Sequence, residues 1–343
     1  MTGSRRVDEK RRNLIKAGVF AAGISFIGVS RSTLMSMLKP VSLSEVLGVP
    51  PRRETEETLV RKAEWKEREI KEWCSEKVEE ICREYGEGSE ECIEARRRCE
   101  AVKVKATPAR QGVAFAMALD VNKCIGCRRC AYACVMENNV ARNNGIEWIK
   151  VLEAPREGEA IDFLHARLDY IEAPKEDMVY VPVACMHCEN PPCVMACPVR
   201  ATWREPDGIV VVDYERCIGC RYCMTACPYG ARHFNWGVPE PSVLELNPNM
   251  HILGNVPRQV HVVEKCTWCI HRTRDGGIPA CVEVCPVGAR VFGDLNDPES
   301  PIRRVLEEYG AFVLKPEAGT RPRFFYFFGP ARTPAAKEGG GEK

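Results

Sequence analysis

Apolar residues between positions 50 and 106 recur at steps of three and four, which is the spacing of one face of an α-helix. Most other positions in this segment carry charge, and the turn sequence Gly86-Glu87-Gly88-Ser89 divides it into two stretches. The first apolar stripe consists of Ile70, Trp73, Cys74, Val78, Ile81 and Cys82. The pattern therefore predicts a charged helical hairpin over residues 50–106.

Four cysteines lie in this segment, two on each predicted helix. Cys74 and Cys82 are eight residues apart and Cys92 and Cys99 are seven apart, so each pair lies on roughly one helix face. Antiparallel packing would place Cys82 opposite Cys92 and Cys74 opposite Cys99, which predicts two disulfide bonds. A metal site and unlinked, packed cysteines remain the alternatives, although these spacings suit neither a cubane cluster nor a zinc knuckle.

Residues 1–33 combine a basic stretch with a short apolar run, which is typical of an export signal. The sequence KRRNLIK at residues 10–16 resembles the twin-arginine export motif, with Leu14-Ile15 in place of the usual Phe-Leu. The apolar run Ala17 to Ser30 is shorter than the about 20 residues that span a bilayer. We expect a twin-arginine signal or anchor here, and therefore a location on the extracytoplasmic face of the cell membrane. An ordinary amphipathic helix is the alternative.

The composition narrows the class of protein. With 343 residues, of which 45% are hydrophobic, the chain can bury a core, so wholesale disorder is excluded. The 49 Lys and Arg residues balance 48 Asp and Glu residues, which removes the excess positive charge that a nucleic-acid partner requires. The 20 cysteines are unusual, because a chain of this length does not need disulfides to supply a core. Residues 331–343, rich in Gly and charged residues, predict a loose tail.

The remaining sixteen cysteines form four groups of four, which indicates an internal repeat. Groups one and three have the spacing C-x2-C-x2-C-x3-C, group two has C-x2-C-x4-C-x3-C, and group four has C-x2-C-x11-C-x3-C. In chain order, the groups are Cys124, Cys127, Cys130 and Cys134; Cys185, Cys188, Cys193 and Cys197; Cys217, Cys220, Cys223 and Cys227; and Cys266, Cys269, Cys281 and Cys285.

The spacing within the groups indicates which kind of metal centre the cysteines bind. Three closely spaced thiolates surround one cubane, and the fourth points away and binds the neighbouring cluster. Zinc sites prefer two short pairs separated by a long loop. We therefore expect four [4Fe–4S] clusters, with a zinc-binding interaction protein as the remote alternative. Gly126 and Gly219, each inside a Cys-Ile-Gly-Cys loop, would allow the backbone to approach a cluster closely.

The order and spacing of the four groups resemble the iron–sulfur subunits of the dimethyl sulfoxide reductase family, which also serve polysulfide, thiosulfate and tetrathionate reductases, formate-dependent nitrite reductase and hydrogenases. The resemblance covers Val113 to Phe328 and includes the sequences CMHCENPPC from Cys185 and KCTWC from Lys265. It implies an α+β fold with two ferredoxin-like 2[4Fe–4S] modules in one domain, residues 112–330, preceded by the helical hairpin. Groups one and four would form one module, and groups two and three the other.

The resemblance also implies which cysteines share a cluster. Because Cys223 is present, the [3Fe–4S] variant of some relatives is not expected. The first ligand set is Cys124, Cys127 and Cys130 with Cys285; the second is Cys266, Cys269 and Cys281 with Cys134; the third is Cys185, Cys188 and Cys193 with Cys227; and the fourth is Cys217, Cys220 and Cys223 with Cys197.

The sequence contains no nucleophile–base set, no phosphate-binding glycine loop and no open metal site for a substrate. We therefore predict a non-catalytic electron-transfer subunit of an oxidoreductase complex. It would relay single electrons between an integral-membrane quinone or cytochrome subunit and a catalytic subunit, which the resemblance implies to be of the molybdopterin type. The alternative is an electron conduit of a membrane-bound nickel–iron hydrogenase or of a heterodisulfide-reductase-like menaquinol complex.

A few residues outside the ligand sets have predicted roles. We expect His187 to face solvent or a partner, with tuning of a cluster potential through a hydrogen bond as the alternative. We expect Trp268, Tyr222 and Tyr229 to shield clusters from water. The aromatic run Phe324–Phe328 is too short to span a membrane and predicts a closing edge strand.

Overall fold

The computed structural model describes residues 54–155, 175 and 178–330. The predicted export signal, residues 1–33, and the predicted tail, residues 331–343, lie outside the described residues. Within the described part, helices alternate with short strands that form small sheets, so the fold class is mixed α and β.

None of the helices in the described ranges combines the length and the apolar character that a membrane span needs.

Two long helices open the described chain. Helix α1 (Glu56–Tyr85) begins after Thr55, whose hydroxyl accepts a hydrogen bond from a backbone N–H in the first turn. Helix α2 (Glu90–Glu100) begins in the same way after Ser89. Each helix has two glutamates in its first turn and arginine in its last turn, so its charges complement the helix dipole at both ends.

Disulfide bonds join these two helices. Cys74 is bonded to Cys99 and Cys82 to Cys92, with Cα–Cα distances of 5.7 and 4.8 Å. This is the pairing that antiparallel packing of the two predicted helices would produce. We refer to α1 and α2 together as the disulfide-linked helix pair.

A strand and two lysines on α1 attach the helix pair to the described part of residues 112–330, which we call the cysteine-rich region. Strand β1 (Lys103–Lys105) pairs in parallel with strand β8 (Asn249–His251). Lys66 on α1 is buried, and its Nζ donates to Glu215 at 3.2 Å. Lys62, one turn earlier, forms a 2.6 Å ion pair with Asp213. The first half of α1 thus holds the segment that leads into group three.

The largest sheet has three strands in the order β10-β2-β11. Its central strand β2 (Phe115–Asp120) is buried along its whole length and pairs antiparallel with β10 (Arg290–Asp294). Strand β11 (Phe324–Phe327) pairs in parallel with β2 and lies at the sheet edge, as predicted for the aromatic run. Helix α8 (Pro301–Glu308) packs on this sheet through Ile302.

Within the described residues, the cysteine-rich region also contains three two-stranded antiparallel sheets and five short α-helices. The sheets are β3 (Lys150–Pro155) with β4 (Met178–Val183), β5 (Thr202–Arg204) with β6 (Val210–Val212), and β7 (His233–Phe234) with β9 (Val263–Glu264). The helices are α3 (Arg129–Glu137), α4 (Pro192–Met195), α5 (Tyr222–Ala226), α6 (Ile270–Thr273) and α7 (Ala280–Glu283).

Candidate metal centre

The short helices bring the cysteine groups together in two pairs. Helix α3, which carries Cys130 and Cys134 of group one, packs against α7, which carries Cys281 of group four. Helix α4, with Cys193 of group two, packs against α5, with Cys223 of group three. Group one therefore lies beside group four, and group two beside group three, which is the arrangement that the resemblance implies.

The four cysteines of the first ligand set surround one cavity. Cys124, Cys127, Cys130 and Cys285 all line it, together with the glycine of the first Cys-Ile-Gly-Cys loop. A cavity bordered by four thiols from opposite ends of the sequence is the space that a cluster bound by this set would occupy.

The second ligand set converges in the buried interior. Burial raises the pKa of the Cys134 thiol well above its ordinary value, and nearby Cys266, Cys269, Cys281 and Cys130 raise it further. The first three are the partners that the second ligand set assigns to Cys134, and Cys130 belongs to its own group.

The third ligand set converges in the same way. Burial raises the pKa of Cys188 to about 12, with further contributions from Cys185, Cys193 and Cys227. As a free thiol Cys188 would stay protonated at neutral pH, so a metal centre would displace its proton on binding.

All sixteen cysteines of the four groups lie in the described ranges, and none of them is in a disulfide bond.

Backbone amides donate to several of the cysteine sulfurs. The N–H of Ala201 donates to Cys197 at 3.2 Å, and the N–H of Ala289 donates to Cys285 at 3.3 Å. Both donors lie four residues after the last cysteine of their group. Donors of this kind stabilise a thiolate and tune the potential of a cluster that it binds.

Two glycines shape the Cys-Ile-Gly-Cys loops. Gly126 and Gly219 have φ of 69° and 68°, in the left-handed region. A Cβ at Gly126 would lie 2.4 Å from the Tyr180 ring, and one at Gly219 would lie 2.2 Å from the carbonyl oxygen of His261. Both positions therefore require glycine for conformation and for space.

The third position of the other two C-x2-C loops holds an aromatic ring instead of glycine. His187 and Trp268 also have positive φ, 42° and 51°, and their rings stack with centroids 4.0 Å apart. His187 is fully buried and accepts the N–H of Val210 on Nδ1, so the prediction that it faces solvent or a partner is wrong. Burial, reinforced by the charge of Lys265, holds the pKa of His187 well below its ordinary value. Trp268 is buried as predicted.

The two tyrosines beside group three behave differently. Tyr229 is buried, and its hydroxyl lies 2.6 Å from the hydroxyl of Thr320. Tyr222 is 63% exposed, so the prediction that it shields a cluster is wrong for this residue. It occupies the first position of the short helix α5, where its side chain points to the surface.

Two buried arginines contact cysteine sulfurs, and the sequence reasoning missed both. Arg232 donates from Nη2 to Cys193 Sγ at 3.1 Å. Arg290 lies 3.6 Å from Cys130 Sγ through Nη2 and 4.0 Å from Cys281 Sγ through Nη1. Each arginine lies five residues after the last cysteine of its group, and this repeated position is the signal that could have identified the pair.

Comparison with known protein families agrees with an iron–sulfur site at the four cysteine groups. Two family models, both described as 4Fe-4S dicluster domains, match residues 123–201 and residues 176–241 with 254–295. The cysteine-rich region is therefore of the 4Fe–4S dicluster class.

Relatives of known name cover most of the same region. A protein provisionally named as a dimethyl sulfoxide reductase iron–sulfur subunit in Halobacterium salinarum is 44% identical over 63% of this chain and 79% of its own length. An Hdr-like menaquinol oxidoreductase iron–sulfur subunit of Archaeoglobus fulgidus is 40% identical over 62% of this chain and 82% of its own length. A tetrathionate reductase subunit of Salmonella typhimurium is 38% identical over 62% of this chain and 71% of its own length.

The chain belongs to the dimethyl sulfoxide reductase iron–sulfur subunit family, together with these relatives. Members of this family are electron-transfer subunits of reductase complexes rather than catalytic subunits. The chain is thus a 4Fe–4S electron-transfer subunit of an oxidoreductase complex, as the sequence predicts.

Proposed function

We propose that the sixteen cysteines hold four [4Fe–4S] clusters, arranged in two pairs, and that the chain relays single electrons between a membrane subunit and a catalytic subunit. The observation that carries this proposal is the packing of α3 against α7 and of α4 against α5. It places group one beside group four and group two beside group three, so that each pair of groups can exchange its last cysteine. The four ligand sets defined above would then hold one cluster each.

Each cluster supplies reversible one-electron transfer when bound. The chain itself contributes the thiolates, the amide donors of Ala201 and Ala289, and a buried environment. Trp268 and His187 lie between ligands of groups four and two and exclude water there. Exclusion of water and donors to sulfur are the means by which a protein sets cluster potentials.

The catalytic partner is proposed from the relatives. Names that specify dimethyl sulfoxide, tetrathionate, selenate and arsenate reductases favour a molybdopterin oxidoreductase as the catalytic subunit. An integral-membrane quinone or cytochrome subunit would be the second partner. The Archaeoglobus fulgidus relative, named for menaquinol oxidoreduction, favours a second candidate, the electron conduit of a heterodisulfide-reductase-like menaquinol complex.

Purification of the intact native complex tests both the cofactors and the partner. We expect about 16 iron atoms and about 16 acid-labile sulfides per chain, as four cubanes require. Molybdenum in the complex would support the molybdopterin partner, whereas nickel would support a hydrogenase. A colourless chain that contains zinc and no acid-labile sulfide would contradict the proposal.

We further propose that the chain functions on the extracytoplasmic face of the membrane after twin-arginine export. The motif at residues 10–16 and the two disulfide bonds support this location, because disulfides persist in oxidising compartments. Replacement of Arg11 and Arg12 by lysine should leave the chain in the cytoplasm, as measured by cell fractionation. The same replacement at Arg5 and Arg6, which fit the motif poorly, is the matched control and should leave export intact.

A further inference from the structure

The buried arginines of the described chain fall into two classes. Arg258 and Arg274 have carboxylate partners: Arg258 pairs with Glu264 at 2.8 Å, and Arg274 pairs with Glu205 and Asp207. Arg232 and Arg290 are equally buried, but within the described residues neither forms a salt bridge to a carboxylate. These two guanidinium groups face cysteine sulfurs instead.

A buried guanidinium needs a counter-charge, because an arginine cannot lose its proton inside a protein. Neutral thiols would not provide that charge, whereas thiolates of an iron–sulfur centre would. The two arginines therefore fit a site whose cysteines are metal ligands, because a [4Fe–4S] core counted together with its four thiolates carries net negative charge.

Each arginine lies between the two ligand sets of its own pair. Arg232 donates to Cys193 of the third set and interacts with Cys223 of the fourth set. The hydroxyl of Thr202 accepts a second bond from the same Nη2 at 2.9 Å, which fixes the guanidinium in place.

Arg290 has the corresponding position in the other pair. It reaches Cys130 of the first set and Cys281 of the second set. Its guanidinium lies over the ring of Phe324, 5.8 Å from the centroid, and Nη1 contacts Met117 at 3.4 Å. Both arginines are thus held by their surroundings at the junction of two ligand sets.

We propose that Arg232 and Arg290 are positioning residues that each set the reduction potentials of two clusters together, Arg232 for the third and fourth ligand sets and Arg290 for the first and second. A fixed positive charge stabilises the reduced cluster more than the oxidised one, because reduction adds an electron. Each arginine therefore raises both potentials of its pair. This inference rests on the proposed function.

The test is an EPR-monitored redox titration of the full-length, cluster-loaded chain. R232Q removes one charge and leaves a shorter polar side chain, and R290Q does the same in the other pair. We expect R232Q to lower the reduction equilibrium constant of two clusters by about tenfold, which is ~59 mV for one electron, and to leave the other two unchanged. R290Q should shift the complementary two clusters, so each variant is the control for the other.

Lysine variants separate charge from packing. R232K and R290K keep the positive charge but lose the planar fork, so their four potentials should stay closer to those of the native chain than the potentials of the glutamine variants do. If a glutamine variant loses iron while its lysine variant keeps it with near-native potentials, the role of charge is supported. If the lysine and glutamine variants lose iron alike or shift the potentials by the same amount, the arginine acts through its shape and the inference is wrong.

Two further outcomes would overturn the inference. One is that all four potentials stay at their native values in chains that retain full iron content. The other is that R232Q and R290Q shift the same clusters. Failure of the proposed function is distinguishable from both, because the native chain would then lack four [4Fe–4S] clusters before any variant is measured.

Discussion

The disulfide-linked helix pair and the cysteine-rich region use the same side chain for opposite purposes. In the helix pair, four cysteines lie on facing helix surfaces with Cα–Cα distances of 4.8 and 5.7 Å, and each sulfur is bonded to another sulfur. In the cysteine-rich region, sixteen cysteines remain unpaired, and several of their sulfurs accept hydrogen bonds from amide and guanidinium donors instead. The comparison shows that spacing and nearby donors, rather than residue type, decide what a cysteine does.

The two chemistries also need different conditions. Disulfides form where the surroundings oxidise thiols, whereas thiolate ligands must be reduced when a cluster is inserted. A chain with both would have its clusters inserted first and its disulfides formed later. This order requires that mutations in the helix pair leave the cluster sites unchanged, and that mutations at the cluster sites leave the helix pair unchanged.

Loss of a predicted ligand should have the largest effect. Cys223→Ser removes a thiolate of the fourth ligand set, so we expect loss of one cluster or its conversion to [3Fe–4S], measured by iron content and EPR of the reduced chain. The matched control is Cys92→Ser in the helix pair, which removes a disulfide and should leave the iron content unchanged. Native iron content and an unchanged spectrum in the Cys223 variant would contradict the ligand assignment.

The next effect comes from the backbone of a ligand loop. Gly219→Ala would place a Cβ 2.2 Å from the His261 carbonyl oxygen, a backbone atom that cannot move aside cheaply. We expect the fourth cluster to be lost or loosely bound, as measured by iron retention during gel filtration. Gly230→Ala is the control, since its φ is 58° with no atom within 4 Å of the new Cβ, so only strain of about 1–2 kcal/mol applies. Equal iron loss in both variants would show that space at Gly219 is not the cause.

Removal of a disulfide should affect the helix pair alone. The Cys74→Ser, Cys99→Ser double variant opens a loop with a sequence separation of 25 residues, so we expect the helix pair to lose roughly 3 kcal/mol of stability. Faster hydrogen exchange in α1 and α2 would measure it. The Cys82→Ser, Cys92→Ser variant opens a loop with a separation of only 10 residues and should cost somewhat less. A fall in iron content in either variant would contradict the independence of the two regions, because the helix pair would then be necessary for cluster binding.

The smallest effect is expected where the two regions meet. Lys66→Met removes a buried ammonium from Glu215 and Glu69 but keeps the apolar stem, and we expect a cost of about 1–2 kcal/mol in urea unfolding. Lys71→Met, on the same helix, removes an exposed pair with Glu67 and should cost less than about 0.5 kcal/mol. Similar costs for the two variants would mean that Lys66 does not hold the helix pair in place.

Much of this molecule could be predicted from the sequence because cysteine spacing is a strong local signal. The four groups, the iron–sulfur class and the partners Cys74–Cys99 and Cys82–Cys92 all follow from short intervals between residues. Long-range contacts gave no such signal. The pairing of β1 with β8 involves three residues in each strand, too few for a periodic pattern, so the docking of the helix pair was not foreseen.

The errors concern residues whose environment depends on distant parts of the chain. The prediction for His187 is wrong because Trp268, in a loop far along the sequence, stacks on it and buries it. Arg232 and Arg290 were not predicted as site residues. Their one signal in the sequence is a shared position five residues after the last cysteine of a group, and that signal does not show that cysteines of the paired group lie beside them.

The position of strand β2 has a consequence for the order of synthesis. β2 leads directly into group one, yet its two neighbours in the sheet are β10 and β11, close to the end of the described chain. The cavity beside Cys124 likewise needs Cys285 as the fourth cysteine that lines it. The cysteines of group one must therefore wait for those of group four before their site is complete, while groups two and three can meet earlier. In nascent chains stalled before residue 285, groups two and three should accordingly both be present, whereas the first ligand set should still lack its fourth cysteine.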